Sequence, residues 1–170
     1  MKSSELLTDG YGRINELVVR ALKDATPAEL AFRPDPDANS VAWLVWHLTR
    51  VQDSHLAEVL DEEQRWMSEG WAERFELPLE VESTGFGHTS NQVAVLGGVS
   101  LELLRDYHDD VHEHTLGFLA GIGDPDLDRV VDTRWDPPVT LGIRLVSVLS
   151  DNLQHAGQAL FVRGISDRVG

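Results

Sequence analysis

The sequence predicts an all-α fold, a four-helix bundle with a long loop between its second and third helices. Two observations carry this. Four long segments repeat apolar residues at three-and-four spacing, the mark of a helix with one buried stripe. Prolines and capping boxes mark the breaks between those segments, and four amphipathic helices can bury their stripes only against one another. The 170 residues suit one core, so residues 1–170 are expected to form a single domain. No internal repeat and no heptad run long enough for a coiled coil is present.

The first helix is expected over residues 4–24, where Leu6, Leu7, Ile14, Leu17, Val18, Ala21 and Leu22 share a face and Gly10 and Gly12 weaken the opening turns. Thr26-Pro27-Ala28-Glu29 combines a cap, a proline at the first helical position and a glutamate three residues on, which predicts a short helical turn. Arg33-Pro34-Asp35-Pro36-Asp37 ends it. The second helix opens at Asn39-Ser40 and runs to about residue 65, carrying Val41, Leu44, Val45, Leu48, Val51, His55, Leu56 and Val59 along one stripe. Between residues 66 and 90 the pattern fails, with Gly70, Pro78, Gly85 and Gly87 among aromatic residues of no fixed period. A connection of this length inside a compact domain often lines a site.

A second capping box, Thr89-Ser90-Asn91-Gln92, starts a third helix that carries Leu101, Leu104, His108, Val111, Thr115, Phe118 and Ile122 past a weak point at Gly97-Gly98. Gly123-Asp124-Pro125 stops it. A polar connection follows, with an extended piece expected around Val130-Val131. The last helix is expected over residues 140–163, ending before Gly164, with Leu141, Leu145, Val148, Leu149, Asn152, Ala156 and Ala159 on its apolar face.

Composition narrows the function. Apolar residues make up 42% of the chain and charged residues 25%, the balance of a folded globule. Fourteen Lys and Arg against 29 Asp and Glu give a net charge of −15, which repels phosphate backbones and anionic lipid, so neither nucleic acid nor a membrane is the expected partner. The first residues carry Glu5 and Asp9 where a secretory signal has its apolar stretch, and no apolar run approaches the roughly 18 residues of a spanning helix, so a cytoplasmic location is expected. The absence of cysteine removes disulfides, thiolate nucleophiles and cysteine-type zinc sites, leaving histidine and carboxylate as the available metal ligands.

Three clusters can carry chemistry. In Asp151-Asn152-Leu153-Gln154-His155 the carboxylate and the imidazole stand four apart on one helix face, as two ligands of one metal must. Arg144 and Gln158 fall in the same sector. His47, between Leu44 and Val51, points from the second helix toward the bundle seam, and its imidazole would complete a set of two nitrogens and one oxygen with open positions for water. The plainer reading makes these histidines satisfied interior residues. The second cluster is His108 and His112, also four apart, whose neighbours Asp109, Asp110 and Glu113 favour a solvated acidic face over a ligand role. The third, Gly85-Phe86-Gly87-His88-Thr89-Ser90, reads as a turn and helix cap or as a flexible approach that sets His88 over the mouth of the bundle; it lacks the strand and spacing of a phosphate-binding loop.

The succession of Ser40-Val41-Ala42-Trp43-Leu44-Val45-Trp46-His47-Leu48, then Gly85-Phe86-Gly87-His88-Thr89, then Asp151-Asn152-Leu153-Gln154-His155-Ala156-Gly157-Gln158 resembles the DinB-like superfamily of four-helix-bundle proteins over nearly the whole chain. The resemblance is nearest to the branch of the metal-binding domain of mycothiol-dependent maleylpyruvate isomerase, whose relatives include bacillithiol and mycothiol transferases. It implies a divalent metal such as zinc or nickel, with His47 as the first ligand and His155 as the last. Position 151 carries His in the commonest pattern of the superfamily and a glutamate in the isomerase branch; Asp151 keeps the carboxylate but is one methylene shorter. The activity so implied is a metal-dependent, thiol-dependent S-transferase or isomerase acting on a small electrophile, with mycothiol as the low-molecular-weight thiol. On that reading Arg144 or Gln158 orients the substrate and His88 serves as acid or base. The alternatives are a non-catalytic stress-related bundle with a vestigial site and a ligand-binding module. A homodimer is a further expectation.

Overall fold

A computed structural model describes residues 1–169. In chain order it holds α1 (Ser3–Leu22), α2 (Pro27–Ala31), α3 (Val41–Leu60), α4 (Arg65–Ser68), α5 (Trp71–Phe75), α6 (Ser90–Val95), a 3-10 turn (Leu96–Gly98), α7 (Leu101–Gly121), a second 3-10 turn (Asp124–Asp128), β1 (Val130–Asp132), β2 (Val139–Thr140) and α8 (Leu141–Val169). The four long helices α1, α3, α7 and α8 form the bundle, with α1 and α3 each packed between α7 and α8. The apolar stripes meet in a core built on Tyr11, Ile14, Val18, Leu44, Leu48, Leu104, Val111, Leu141 and Ala156. Among the described residues no helix is long and apolar enough to cross a membrane.

The caps work as their chemistry requires. Thr26 Oγ1 accepts from the Glu29 amide while Glu29 accepts from the Thr26 amide, and Thr89 and Gln92 make the same reciprocal pair at the start of α6. Ser40 Oγ accepts from the Trp43 amide at 3.2 Å and starts α3. The expected extended piece is the strand β1, paired antiparallel with β2.

Three boundaries differ from the sequence reading. The second helix ends at Leu60 rather than near residue 65, because Asp61 turns left-handed (φ 56°) and donates its amide to the Ala57 carbonyl. The third is not continuous: the Gly97-Gly98 weak point becomes a 3-10 turn, and α7 starts afresh with Ser100 Oγ accepting from the Leu103 amide at 3.2 Å. The last helix runs through Gly164 to Val169, where Arg163 pairs with Asp167 at 2.8 Å and with Glu29 of α2 at 3.0 Å; these contacts offset the roughly 1 kcal/mol that a helical glycine costs.

Between α3 and α6 the chain is folded onto the bundle rather than loose. Every residue of α3 from Val41 to Arg50 is buried, because α7 and α8 cover one side and this connection covers the other. Its pin is Arg50, wholly buried, whose guanidinium donates to the carbonyls of Ser83 (3.2 Å) and Val81 (3.3 Å) and to Gln64 Oε1 (2.7 Å), and lies 4.7 Å over the Trp66 ring. Asp53 answers it from one turn on, accepting from the amides of Arg65 (2.9 Å) and Trp66 (2.8 Å) and from the Tyr107 hydroxyl (2.8 Å). Trp66, Trp71 and Phe75 then pack around Tyr107, with ring centroids 5.2 to 5.8 Å from it. These aromatics serve a compact cluster, which no helical period describes.

The second histidine cluster is interior rather than solvated. Thr49 Oγ1 donates to the Val45 carbonyl, so it accepts from His108 Nδ1–H at 3.1 Å, and His108 Nε2 is left buried without a partner. Protonating that nitrogen would create a buried charge with an unsatisfied donor, and burial pushes the His108 pKa down to about 3. The unfolded chain takes up this proton near pH 6.5 and the native state only near pH 3. Stability from this group is therefore complete above about pH 6.5 and is lost as pH falls from there. At pH 5 the loss is of the order of 2 kcal/mol. Urea unfolding of a His108→Asn variant, which keeps the bond to Thr49 without a titrating ring, is expected to lose much less stability between pH 7 and pH 5 than the parent. An unchanged slope would assign the acid sensitivity to other groups.

Candidate metal centre

His47 stands on the inner side of α3, and Asp151 and His155 stand one turn apart on the facing side of α8, the helix that packs along it. Their ligand atoms all lie within 4.8 Å of one another, the imidazole centroids are 4.7 Å apart, and His155 Nε2 is 3.6 Å from Asp151 Oδ1. Both rings are held by a second partner. His47 Nδ1 bonds the Thr84 carbonyl; a carbonyl only accepts, so the proton is on Nδ1 and the Nε2 lone pair is free. His155 Nδ1 donates to Gln158 Oε1 at 2.9 Å, which frees its Nε2 in the same way. Orienting partners of this kind on the far nitrogen are the usual support of metal-bound histidines. Trp43 stacks on His47 at 4.5 Å and fixes the ring plane.

The electrostatics fit a cation. Asp151 Oδ2 is buried with no hydrogen-bond partner, an oxygen whose negative charge nothing in the protein satisfies. Burial pushes the His47 pKa down, keeping that imidazole neutral and able to coordinate. Asp151, 3.6 Å away, holds the His155 pKa above its ordinary value, and His155 in turn holds that of Asp151 below. Three protein ligands leave positions open, the pattern of catalytic rather than structural zinc sites. Beside them a cleft of about 260 Å³ is lined by His47, Val51, His55, Thr84, Phe86, Ser147, Val148 and Asp151.

A model of the DinB superfamily matches residues 12–159. The chain belongs to the DinB superfamily. A crystal structure of a conserved protein from Enterococcus faecalis is 34% identical, with 96% of this chain and 96% of that chain covered and a TM-score of 0.89. No curated protein matches the chain. For this DinB protein the shared fold accounts for α3 and α8 lying side by side, and its own residues account for what meets there.

The other residues singled out in the sequence are placed differently from the roles expected of them. Gln158 faces His155 rather than the cleft and acts as that ring's support. Arg144 does not line the cleft; its guanidinium donates to His55 Nδ1 at 2.9 Å and to Asp132 at 2.7 Å, tying α8 to α3 and to the β-hairpin. His88 has both nitrogens engaged: Nδ1 accepts from Trp43 Nε1–H at 3.1 Å, so Nε2 carries the proton and meets Ser83 Oγ at 2.8 Å. Its ring stacks on Trp46 at 5.8 Å. Both ring nitrogens are thus engaged, one by Trp43 and one by Ser83 of the loop, and His88 is not among the residues that line the cleft.

That loop holds two further residues of the site, Thr84 and Gly85. Thr84 supplies the carbonyl that sets the His47 tautomer, and it carries no motif because any residue has a carbonyl. Gly85 has φ 97°, and a Cβ there would stand 2.7 Å from His47 Nδ1 and 3.0 Å from the Trp43 ring. Both the backbone angle and the contact demand glycine. Gly85→Ala is expected to push Thr84 off His47 and weaken zinc binding by roughly 10- to 100-fold, the usual cost of losing a metal ligand's support. Zinc titration calorimetry checks it; an unchanged affinity would show that Thr84 does not orient the ring. His55 carries no sequence signal as a site residue, because eight residues from His47 it reads as one more position of the apolar stripe.

Proposed function

We propose that this protein is a divalent-metal-dependent enzyme that joins a low-molecular-weight thiol of the mycothiol type to a small electrophile, as an S-transferase or as a thiol-dependent isomerase. The observation that carries the metal is the convergence of His47, Asp151 and His155 around a buried, unpartnered carboxylate oxygen. Zinc or nickel suits two imidazole nitrogens and one carboxylate oxygen. When bound, such an ion lowers the pKa of a coordinated thiol or water and polarises an electrophile.

The chain's own residues supply the rest. His47, Asp151 and His155 hold the ion, while Thr84 and Gln158 keep both imidazoles in the coordinating tautomer. Val51 and Val148 give the cleft apolar lining beside the metal ligands. The chain contains no cysteine, so a reacting thiol must come from a second small molecule. The isomerase-branch likeness of the motifs and the carboxylate at position 151 support mycothiol over other thiols, and they support a small electrophile as its partner.

Inductively coupled plasma mass spectrometry of untagged protein, followed by a conjugation assay with mycothiol and a simple alkylating electrophile, tests this reading. Thiol consumption that needs stoichiometric zinc or nickel and stops on chelation is the expected result. Metal-loaded protein that leaves thiol and electrophile unchanged would contradict the transferase reading, and protein that binds neither ion would contradict the metal as well.

A further inference from the structure

Two side chains at the cleft have no part in holding a metal. Phe86 is 94% exposed, although burying a phenylalanine ring stabilises a fold by about 1.5–3 kcal/mol. It sits between Gly85 (φ 97°) and Gly87 (φ 73°), two left-handed positions that lift its ring off the bundle at the edge of the cleft. His55 lines the same cleft from α3. A guanidinium can only donate, so the 2.9 Å contact from Arg144 makes His55 Nδ1 an acceptor and leaves the proton on Nε2. Asp132 fixes Arg144 in turn through a 2.7 Å bond, and Glu58 lies 3.7 Å from His55 Nδ1. The result is a neutral, pre-oriented N–H donor with no acceptor of its own among the hydrogen bonds of the described residues.

We propose that the cleft takes a small aromatic compound bearing an acceptor oxygen, with Phe86 packing on its ring and His55 Nε2–H bonding its oxygen beside the metal ligands. Val51 and Val148 line the same cleft as Phe86 and His55, so an aromatic ring there meets apolar side chains while its polar end is within the cleft that holds the donor. Phe86 is then the residue that determines specificity for the apolar part, and His55 is the residue that orients the polar part. The assignment of ligand class rests on the metal reading given above, because the ring and the oxygen are placed relative to that centre.

The test uses the zinc-loaded full chain and two probes, benzohydroxamate and acetohydroxamate, which share the zinc-binding group and differ in the ring. Affinities are read by titration calorimetry alongside the zinc content of each variant. Because residue 86 is exposed, Phe86→Ala leaves the fold and zinc content intact. It is expected to weaken benzohydroxamate about fivefold, the value of one aromatic contact, and acetohydroxamate less than twofold. His55→Leu is expected to weaken both probes by a similar factor of about five, and His55→Gln, which keeps an N–H donor, to restore most of it. A benzohydroxamate preference that survives Phe86→Ala, with zinc still bound, overturns the aromatic ligand class and leaves the metal centre standing. Equal affinities in the parent and the His55→Leu variant overturn the donor role. A chain that retains no zinc overturns this proposal and the metal reading together.

Discussion

His155→Ala is expected to weaken zinc binding by at least about a hundredfold while leaving the bundle folded. Structural zinc sites gain roughly 10–16 kcal/mol from four ligands, so one ligand is worth about 3 kcal/mol, or somewhat more than two decades in affinity. The His155 side chain is about one-fifth exposed, and its partners Asp151 and Gln158 are on the same helix, so removing it opens no core cavity. The effect should therefore appear in a zinc titration and hardly at all in thermal unfolding of the metal-free protein. His47→Ala is expected to lose as much affinity but also some stability, since Trp43 stacks on the His47 ring and the Thr84 carbonyl loses its donor. Loss of affinity for one variant and not the other would mean that the two helices do not share a cation.

Arg50→Ala is expected to destabilise the protein by about 3–5 kcal/mol, the largest single effect outside the hydrophobic core. The substitution strips donors from the Ser83 and Val81 carbonyls and from Gln64, and leaves Asp53 as a buried carboxylate without its nearby cation. Because those carbonyls belong to the segment that leads into Thr84 and Gly85, the damage extends to the metal centre. Zinc affinity of the folded fraction should fall as well. Arg50→Met keeps much of the volume and the contact with Trp66, but not the hydrogen bonds. It should recover part of the stability and little of the anchoring. Chemical denaturation with a parallel zinc titration separates the two; a loss below about 1 kcal/mol for Arg50→Ala would show that the connection is held by its aromatic residues alone.

The bundle was legible in the sequence because its helices present simple periodic stripes and close with side-chain caps: Thr26 with Glu29, Ser40, and Thr89 with Gln92 all act where their spacing puts them. The pairing of Asp151 with His155 was legible for the same reason, being local to one helix. What was not legible depends on contacts between distant segments. Arg50 and Asp53 read as polar positions on a helix, and only the chain folding back over α3 makes them wholly buried and paired. The roles of Arg144, Gln158 and His88 could not be read from helical sectors, because each is decided by a partner elsewhere: Asp132 and His55, His155, and Trp43 with Ser83, respectively. The Thr84 carbonyl has no residue signature at all.

A crystal soaked in zinc and measured on both sides of the zinc absorption edge shows whether His47, Asp151 and His155 close on one cation. The expected result is an anomalous peak between the three side chains, bonded to an imidazole nitrogen of each histidine and to a carboxylate oxygen of Asp151. Zinc seated elsewhere on this acidic surface, with no peak between α3 and α8, would contradict it.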